Sequence, residues 1–93
     1  MEVLHEENGK KGLFFVNYEG SKEAEMTYTW AGDDKIIIDH TEVSEVLKGQ
    51  KVGYQLVEAA VNFAREKNIK ILPLCPFAKY VMDKIDDYND VKF

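Results

Sequence analysis

Leu47-Lys48-Gly49-Gln50-Lys51-Val52-Gly53 is a glycine-bearing basic turn between a strand-like run and an amphipathic pattern, and its reading decides the fold. Upstream, Lys35 to Val43 contains Ile36-Ile37-Ile38, apolar on both faces, which suits a central strand covered from both sides. Downstream, Val52, Leu56, Ala59, Ala60 and Phe63 recur at helical spacing and make one apolar face, with Gln55, Glu58, Asn62 and Arg65 elsewhere. Asn68 tolerates the left-handed conformation and ends the helix, and Ile69 to Cys75 reads as a strand. Strand, helix and strand from Lys35 to Cys75 form a βαβ unit, expected to be right-handed with parallel strands. Pro73 cannot donate a ladder hydrogen bond, so the second strand is predicted to diverge from the first there and to open a slot between them.

Before this unit the chain alternates with period two. Leu13 to Tyr18 is rich in β-formers, Glu19-Gly20-Ser21-Lys22 gives a turn, and Ala24, Met26, Tyr28 and Trp30 share a face opposite Glu25, Thr27 and Thr29. Ala31-Gly32-Asp33-Asp34 is a further turn, so the first half is an antiparallel meander of three strands. After Cys75, Phe77 to about Ile85 forms a short helix with Pro76 near its start. The acidic tail Asp86 to Phe93 has only Val91 and Phe93 to anchor it. The expected fold class is α+β, a meander followed by βαβ and a short C-terminal helix, in one domain over residues 1–93.

Composition narrows the function classes. With 93 residues, a net charge of −5 and 31% charged side chains, the chain is an ordinary globular domain whose surface does not suit general nucleic-acid binding. Its apolar runs are too short to span a bilayer, and the acidic start Met1 to Glu7 lacks the regions of a signal peptide. A cytoplasmic location without membrane attachment is expected, as a monomer or weak oligomer. The single cysteine, Cys75, forms no internal disulfide and is either a small buried hydrophobe or a working thiol. No metal is expected, because two histidines and one cysteine are not at ligand spacing.

Chemistry points to the turn first. A helix start leaves backbone N–H groups without partners and carries the positive end of the macrodipole, so residues 48–54 can cradle a diphosphate, with Lys48 and Lys51 adding local charge. A glycine turn into a helix is also common without any ligand. Cys75 lies at a strand end just before a helix whose N-terminus would stabilise a thiolate; the alternative is an inert core thiol. His40 alternates with Ile36 and Ile38 and is expected on their face, either packed and hydrogen-bonded or within reach of Cys75 as a base. Asp39 and Glu42 fit a solvated strand end.

In this order of elements the chain resembles the GNAT superfamily of acyl-CoA-dependent N-acetyltransferases, whose signature Gln/Arg-x-x-Gly-x-Gly/Ala binds the coenzyme diphosphate through backbone amides. Lys48-Gly49-Gln50-Lys51-Val52-Gly53 fills that place: Lys48 replaces the first residue, Lys51 stands at the first glycine, and Gly53 matches the second. More closely, Ile38-Asp39-His40-Thr41-Glu42-Val43 and Leu74-Cys75-Pro76-Phe77-Ala78-Lys79 resemble the small YjdJ-type GNAT-like proteins, over roughly residues 23 to 93. The resemblance implies a compact GNAT-like fold and acetyl-CoA as cofactor. It implies a diphosphate held by Lys48, Gly49, Gln50, Lys51, Val52, Gly53 and Tyr54, and a pantetheine arm against the backbone of Thr41, Glu42 and Val43. It further implies contacts from Ala78 and Lys79, and Cys75 as candidate acetyl acceptor with His40 as candidate base. Larger relatives carry Asn-x-x-Ala followed by a tyrosine; aligned on Ala78, Cys75 takes the asparagine position and Met82 that of the tyrosine, the usual general acid. The expected activity is acetyl transfer to an amine, from a protein or peptide rather than an enclosed small molecule. The alternative is a non-catalytic acyl-CoA-binding or protein-interaction module.

Overall fold

Period-two alternation and the glycine-rich turns between the runs build an antiparallel sheet, and the helical period that follows supplies its cover. A computed structural model describes residues 1–93, with β1 at Leu4–Glu7, β2 at Lys11–Tyr18, β3 at Ser21–Trp30 and β4 at Lys35–Val43. Then come a 3-10 turn at Glu45–Leu47, α1 at Val52–Lys67, β5 at Lys70–Pro73, α2 at Pro76–Lys84 and a second 3-10 turn at Asp86–Tyr88. The sheet has 5 strands in the order β1-β2-β3-β4-β5, antiparallel except for the parallel β4–β5 pair. The meander therefore has a strand more than expected: β1 pairs Leu4 with Phe15 and Glu7 with Gly12. Its Leu-His-Glu-Glu sequence carries no strand pattern, and the strand forms because β2 offers it an edge.

Both helices lie on one face of the sheet. α1 packs against β2 to β5, and α2 packs against α1, β4 and β5. Phe14, Val16, Met26, Tyr28, Ile36, Ile38 and Ile71 meet Leu56, Val57, Ala60, Val61 and Ala64 of α1 and Ala78, Val81 and Met82 of α2 in one core. Ala59 and Phe63 are only partly buried, so the buried stripe of α1 is rotated from the expected one toward Val57, Val61 and Ala64. Phe63 instead flanks the core and packs on His5, Phe14, Tyr28 and Trp30. α1 ends at Asn68, with φ 59° and ψ 47°, as its residue type suggests.

Two expectations fail. β4 is covered on one face only, and Ile37 stays half-buried on the opposite one. The tail is anchored by Tyr88 and Val91, both buried, whereas Phe93 is exposed and lies under the Lys35 ammonium. Ile71 N–H donates to the Val91 carbonyl and Phe93 N–H to that of Ile71, so the tail runs along the free edge of β5.

A register shift between β3 and β4 sets the side chains near the site. Tyr28 pairs with Ile38, but Thr27 pairs with His40 and Met26 with Thr41, leaving Asp39 as the extra residue of a β-bulge. One inserted residue moves every later side chain of β4 to the other face. His40 therefore does not share the face of Ile36 and Ile38; it is exposed opposite the helices, while Thr41 and Val43 turn inward.

Candidate functional site

The β4–β5 ladder ends where proline predicts. Its last pair is Ile38 with Pro73, after which the N–H groups of both Leu74 and Cys75 donate to the one carbonyl of Ile38. β4 continues to Val43 without a partner on that side, and a slot opens between its last residues and the start of α2.

Cys75 sits at the head of this slot as the residue before α2, 6% exposed, with its thiol 3.3 Å from the Thr41 hydroxyl oxygen. Burial pushes the thiol pKa up, but the Thr41 hydroxyl and the backbone N–H groups of Ala78, Phe77 and Thr41 stabilise the thiolate, and the net direction is down. The bulge makes this possible, because without it Thr41 would face away from the thiol. The sequence singles out Cys75 but not Thr41 as its partner, since nothing in Asp39-His40-Thr41 marks which residue will be extra.

Beside the slot lies the start of α1. Leu47 is fully buried and fixes the turn to the core, and Gly49 adopts φ 85° in open space. Lys51 precedes the helix in the left-handed conformation, φ 58° and ψ 32°, with no side-chain cap. That conformation favours glycine and costs a side chain about 1–2 kcal/mol, which explains why a glycine stands here in the signature this chain resembles. The first turn's N–H groups reach back to no side chain, and the earliest return bond runs from Gln55 to the Lys51 carbonyl. Such a start suits an anion, and the exposed Lys51 adds charge beside it.

Gly53 serves a different purpose from the open turn. A Cβ there would lie 2.6 Å from the Phe77 ring, so the glycine admits Phe77 between the two helix starts and holds them side by side. Val52 is buried, Gln50 accepts the Gln55 amide on its carbonyl, and Lys48 pairs with Glu45 at 3.1 Å. Tyr54 is half-buried against Phe77, with ring centroids 6.0 Å apart. Ala78 is fully buried and reaches the site only through its N–H; Lys79 is exposed and paired with Asp83 at 2.7 Å. The structure thus brings together Thr41, Val43, residues 51–54, Cys75 and Ala78, and leaves His40 and Glu42 on the uncovered face. Met82 is fully buried in the core, so no acidic side chain takes its position in the slot.

A hollow of about 590 Å³ lies on that uncovered face between Glu6, Lys11, Leu13, Thr27, Thr29 and Asp39. Glu7 and Tyr28 also line it, with the Tyr28 hydroxyl donating to the Glu7 carboxylate. No group of His, Cys, Asp and Glu is arranged to hold a metal ion. No helix is long and apolar enough to cross a membrane.

A splayed parallel pair, an uncapped helix start beside it and a thiol at the second helix meet at one end of the sheet. Residues 13–91 match the family model for GCN5-related N-acetyl-transferases, and the chain belongs to that family. It is 30% identical over 71 residues to Protein NATD1 of Danio rerio, covering 75% of this chain and 64% of that protein, so it spans less than two thirds of the relative's length. The NMR structure of a GCN5-like candidate N-acetyltransferase from Staphylococcus aureus is 41% identical, with TM-score 0.75 over 99% of this chain and 87% of the other. A GNAT family acetyltransferase from Elizabethkingia anophelis, solved with acetyl-CoA bound, shares the fold at TM-score 0.60 and 18% identity over 69% of this chain and 42% of the other.

Proposed function

We propose that this protein is a cytoplasmic N-acetyltransferase, acting as one domain, that takes an acetyl group from acetyl-CoA through Cys75 and passes it to an amine of a protein or peptide. The observation that carries the reading is the thiol between the Thr41 hydroxyl and the first N–H groups of α2, at the head of the slot. The diphosphate lies over residues 48–54, where backbone N–H groups of the α1 start face it and Lys51 adds a cation. The pantetheine arm runs along the unpaired backbone of Thr41, Glu42 and Val43, which offers it a strand edge, and brings the thioester to Cys75.

Donors that lower the thiol pKa raise the thiolate fraction at neutral pH. The Cys75 sulfur adds to the thioester carbonyl, the bond to the coenzyme sulfur breaks, and the coenzyme thiolate takes its proton from solvent. A neutral amine then adds to the acetyl carbonyl on Cys75, the Cys75 thiolate leaves, and the amine gives up its proton to solvent. Thr41 donates to the thiolate in both states in which the sulfur carries charge. His40 lies on the uncovered face and does not activate Cys75, whose contact is Thr41.

The buried Met82 favours a second reading, an acyl-CoA-binding module without turnover, since no side chain in the slot protonates a leaving thiolate. Intact-mass measurement after incubation with acetyl-CoA separates the two. One acetyl group on Cys75, absent from a Cys75→Ala variant that still binds the coenzyme, supports transfer. Coenzyme binding with neither acetylated protein nor acetylated lysine peptide selects the module.

A further inference from the structure

Tyr54 in the first turn of α1 forms a cluster with Tyr80 and Lys84 of α2, and the reading above uses neither the side chain of Tyr54 nor Tyr80 and Lys84. The Lys84 ammonium is 3.3 Å from the Tyr54 hydroxyl and lies over both rings, 5.5 Å from the Tyr54 centroid and 5.6 Å from that of Tyr80. Tyr80 is 57% exposed, with the Lys84 ammonium over its ring and no other aromatic ring stacked on it. The adjacent Asp83 is taken by Lys79 and Lys92, so Lys84 is held by rings and a hydroxyl instead of a carboxylate. A flat π surface and an unneutralised cation thus stand beside the uncapped N–H groups of the same first turn.

We infer that Tyr54, Tyr80 and Lys84 form a nucleotide subsite: Tyr80 stacks the adenine of coenzyme A and Lys84 pairs with its 3′-phosphate. The inference rests on the diphosphate lying at the start of α1. From there the adenosine must extend over one neighbouring surface, and this cluster matches both of its recognisable parts, a π-faced base and a dianion. The subsite separates coenzyme A from shorter carriers that present the same thioester on phosphopantetheine alone.

Calorimetric titration with acetyl-CoA, 3′-dephospho-acetyl-CoA and S-acetyl-4′-phosphopantetheine tests it. The expected order is acetyl-CoA tightest, with a loss of about fivefold or more on removing the 3′-phosphate that shrinks in high salt. Lys84→Met, which keeps the stem packing, should bring acetyl-CoA to the affinity of its dephospho analogue and leave that analogue unchanged. Tyr80→Ala should weaken both nucleotides and spare the phosphopantetheine. Equal affinity for acetyl-CoA and the dephospho compound, or a Lys84→Met loss shared by all three ligands, overturns the subsite while leaving the diphosphate site intact. Binding of none of the three overturns the coenzyme reading itself, and the subsite with it.

Discussion

The two ends of the sheet treat their polar groups in opposite ways. At the β1 end, Trp30 Nε1 and the Tyr28 hydroxyl donate to one Glu7 carboxylate oxygen at 2.5 and 2.8 Å, and His5 Nε2 lies 2.6 Å from the Tyr28 hydroxyl. The carboxylate only accepts and the Tyr28 proton goes to it, so His5 donates from Nε2. His5 also stacks on Phe14, with centroids 4.3 Å apart. Each donor there meets an acceptor within the protein, and the cluster closes the core. At the slot end, two helix starts, a hydroxyl and a thiol converge, and neither helix has a side-chain cap. Polar groups matched to one another make structure; donors aimed together without a side-chain acceptor make a site.

The contrast breaks most severely at Gly12. A Cβ there would lie 2.4 Å from Tyr28 and 2.8 Å from the Glu6 carbonyl oxygen, because the ring crosses this glycine to reach Glu7. Gly12→Ala should cost about 2–3 kcal/mol and lower Tm by about 10–20 °C. A thermal melt with unchanged Tm would show that the closed end does not depend on this approach.

Lys51→Gly works in the other direction at the slot end. It removes the strain of a left-handed lysine and should stabilise the protein by about 0.5–1 kcal/mol after the entropy of the freer unfolded chain is counted, raising Tm by a few degrees. A lower Tm would mean that the lysine side chain holds the turn.

Protonation sharpens the comparison further. Burial holds the His5 pKa below its ordinary 6.5, with Glu7 opposing that shift and Lys67 adding to it. Between the depressed folded value and 6.5 the unfolded chain binds the extra proton, so stability should fall as pH drops through that window and level off below it. His5→Gln should be less stable at neutral pH and should lose this component of the slope between pH 7.5 and 5.5. An identical slope would place the effect elsewhere.

The smallest effect is expected at Thr41. Thr41→Val removes the hydroxyl that favours the Cys75 thiolate, so the thiol pKa should rise while the fold persists. Iodoacetamide alkylation of Cys75 should shift to higher pH and slow at neutral pH. An unchanged pH profile would assign the lowered pKa to the backbone N–H groups alone.

Much of this contrast was legible in the sequence, and the rest was hidden for definite reasons. Hydrophobic period placed β2 to β4, α1 and α2 within a few residues, because each buries a continuous face. Pro73 announced the slot, and the turn at residues 47–53 announced the α1 start. β1 stayed invisible because its four residues have no pattern of their own and form a strand only against β2. The face of His40 was misread because a bulge depends on pairing with β3, which no local pattern records. Gly53 was read for its backbone, and nothing local showed that its missing side chain is also where Phe77 packs.

The strap formed by Val91 to Phe93 along β5 reaches beyond the stability of the tail. A sheet edge with free backbone groups recruits strands from other molecules, so a bare parallel edge would be a liability. Here the chain lays its own residues over that edge, while the opposite edge strand carries Glu6, Glu7 and His5. One border is occupied and the other is charged, which discourages the sheet from growing into a neighbour.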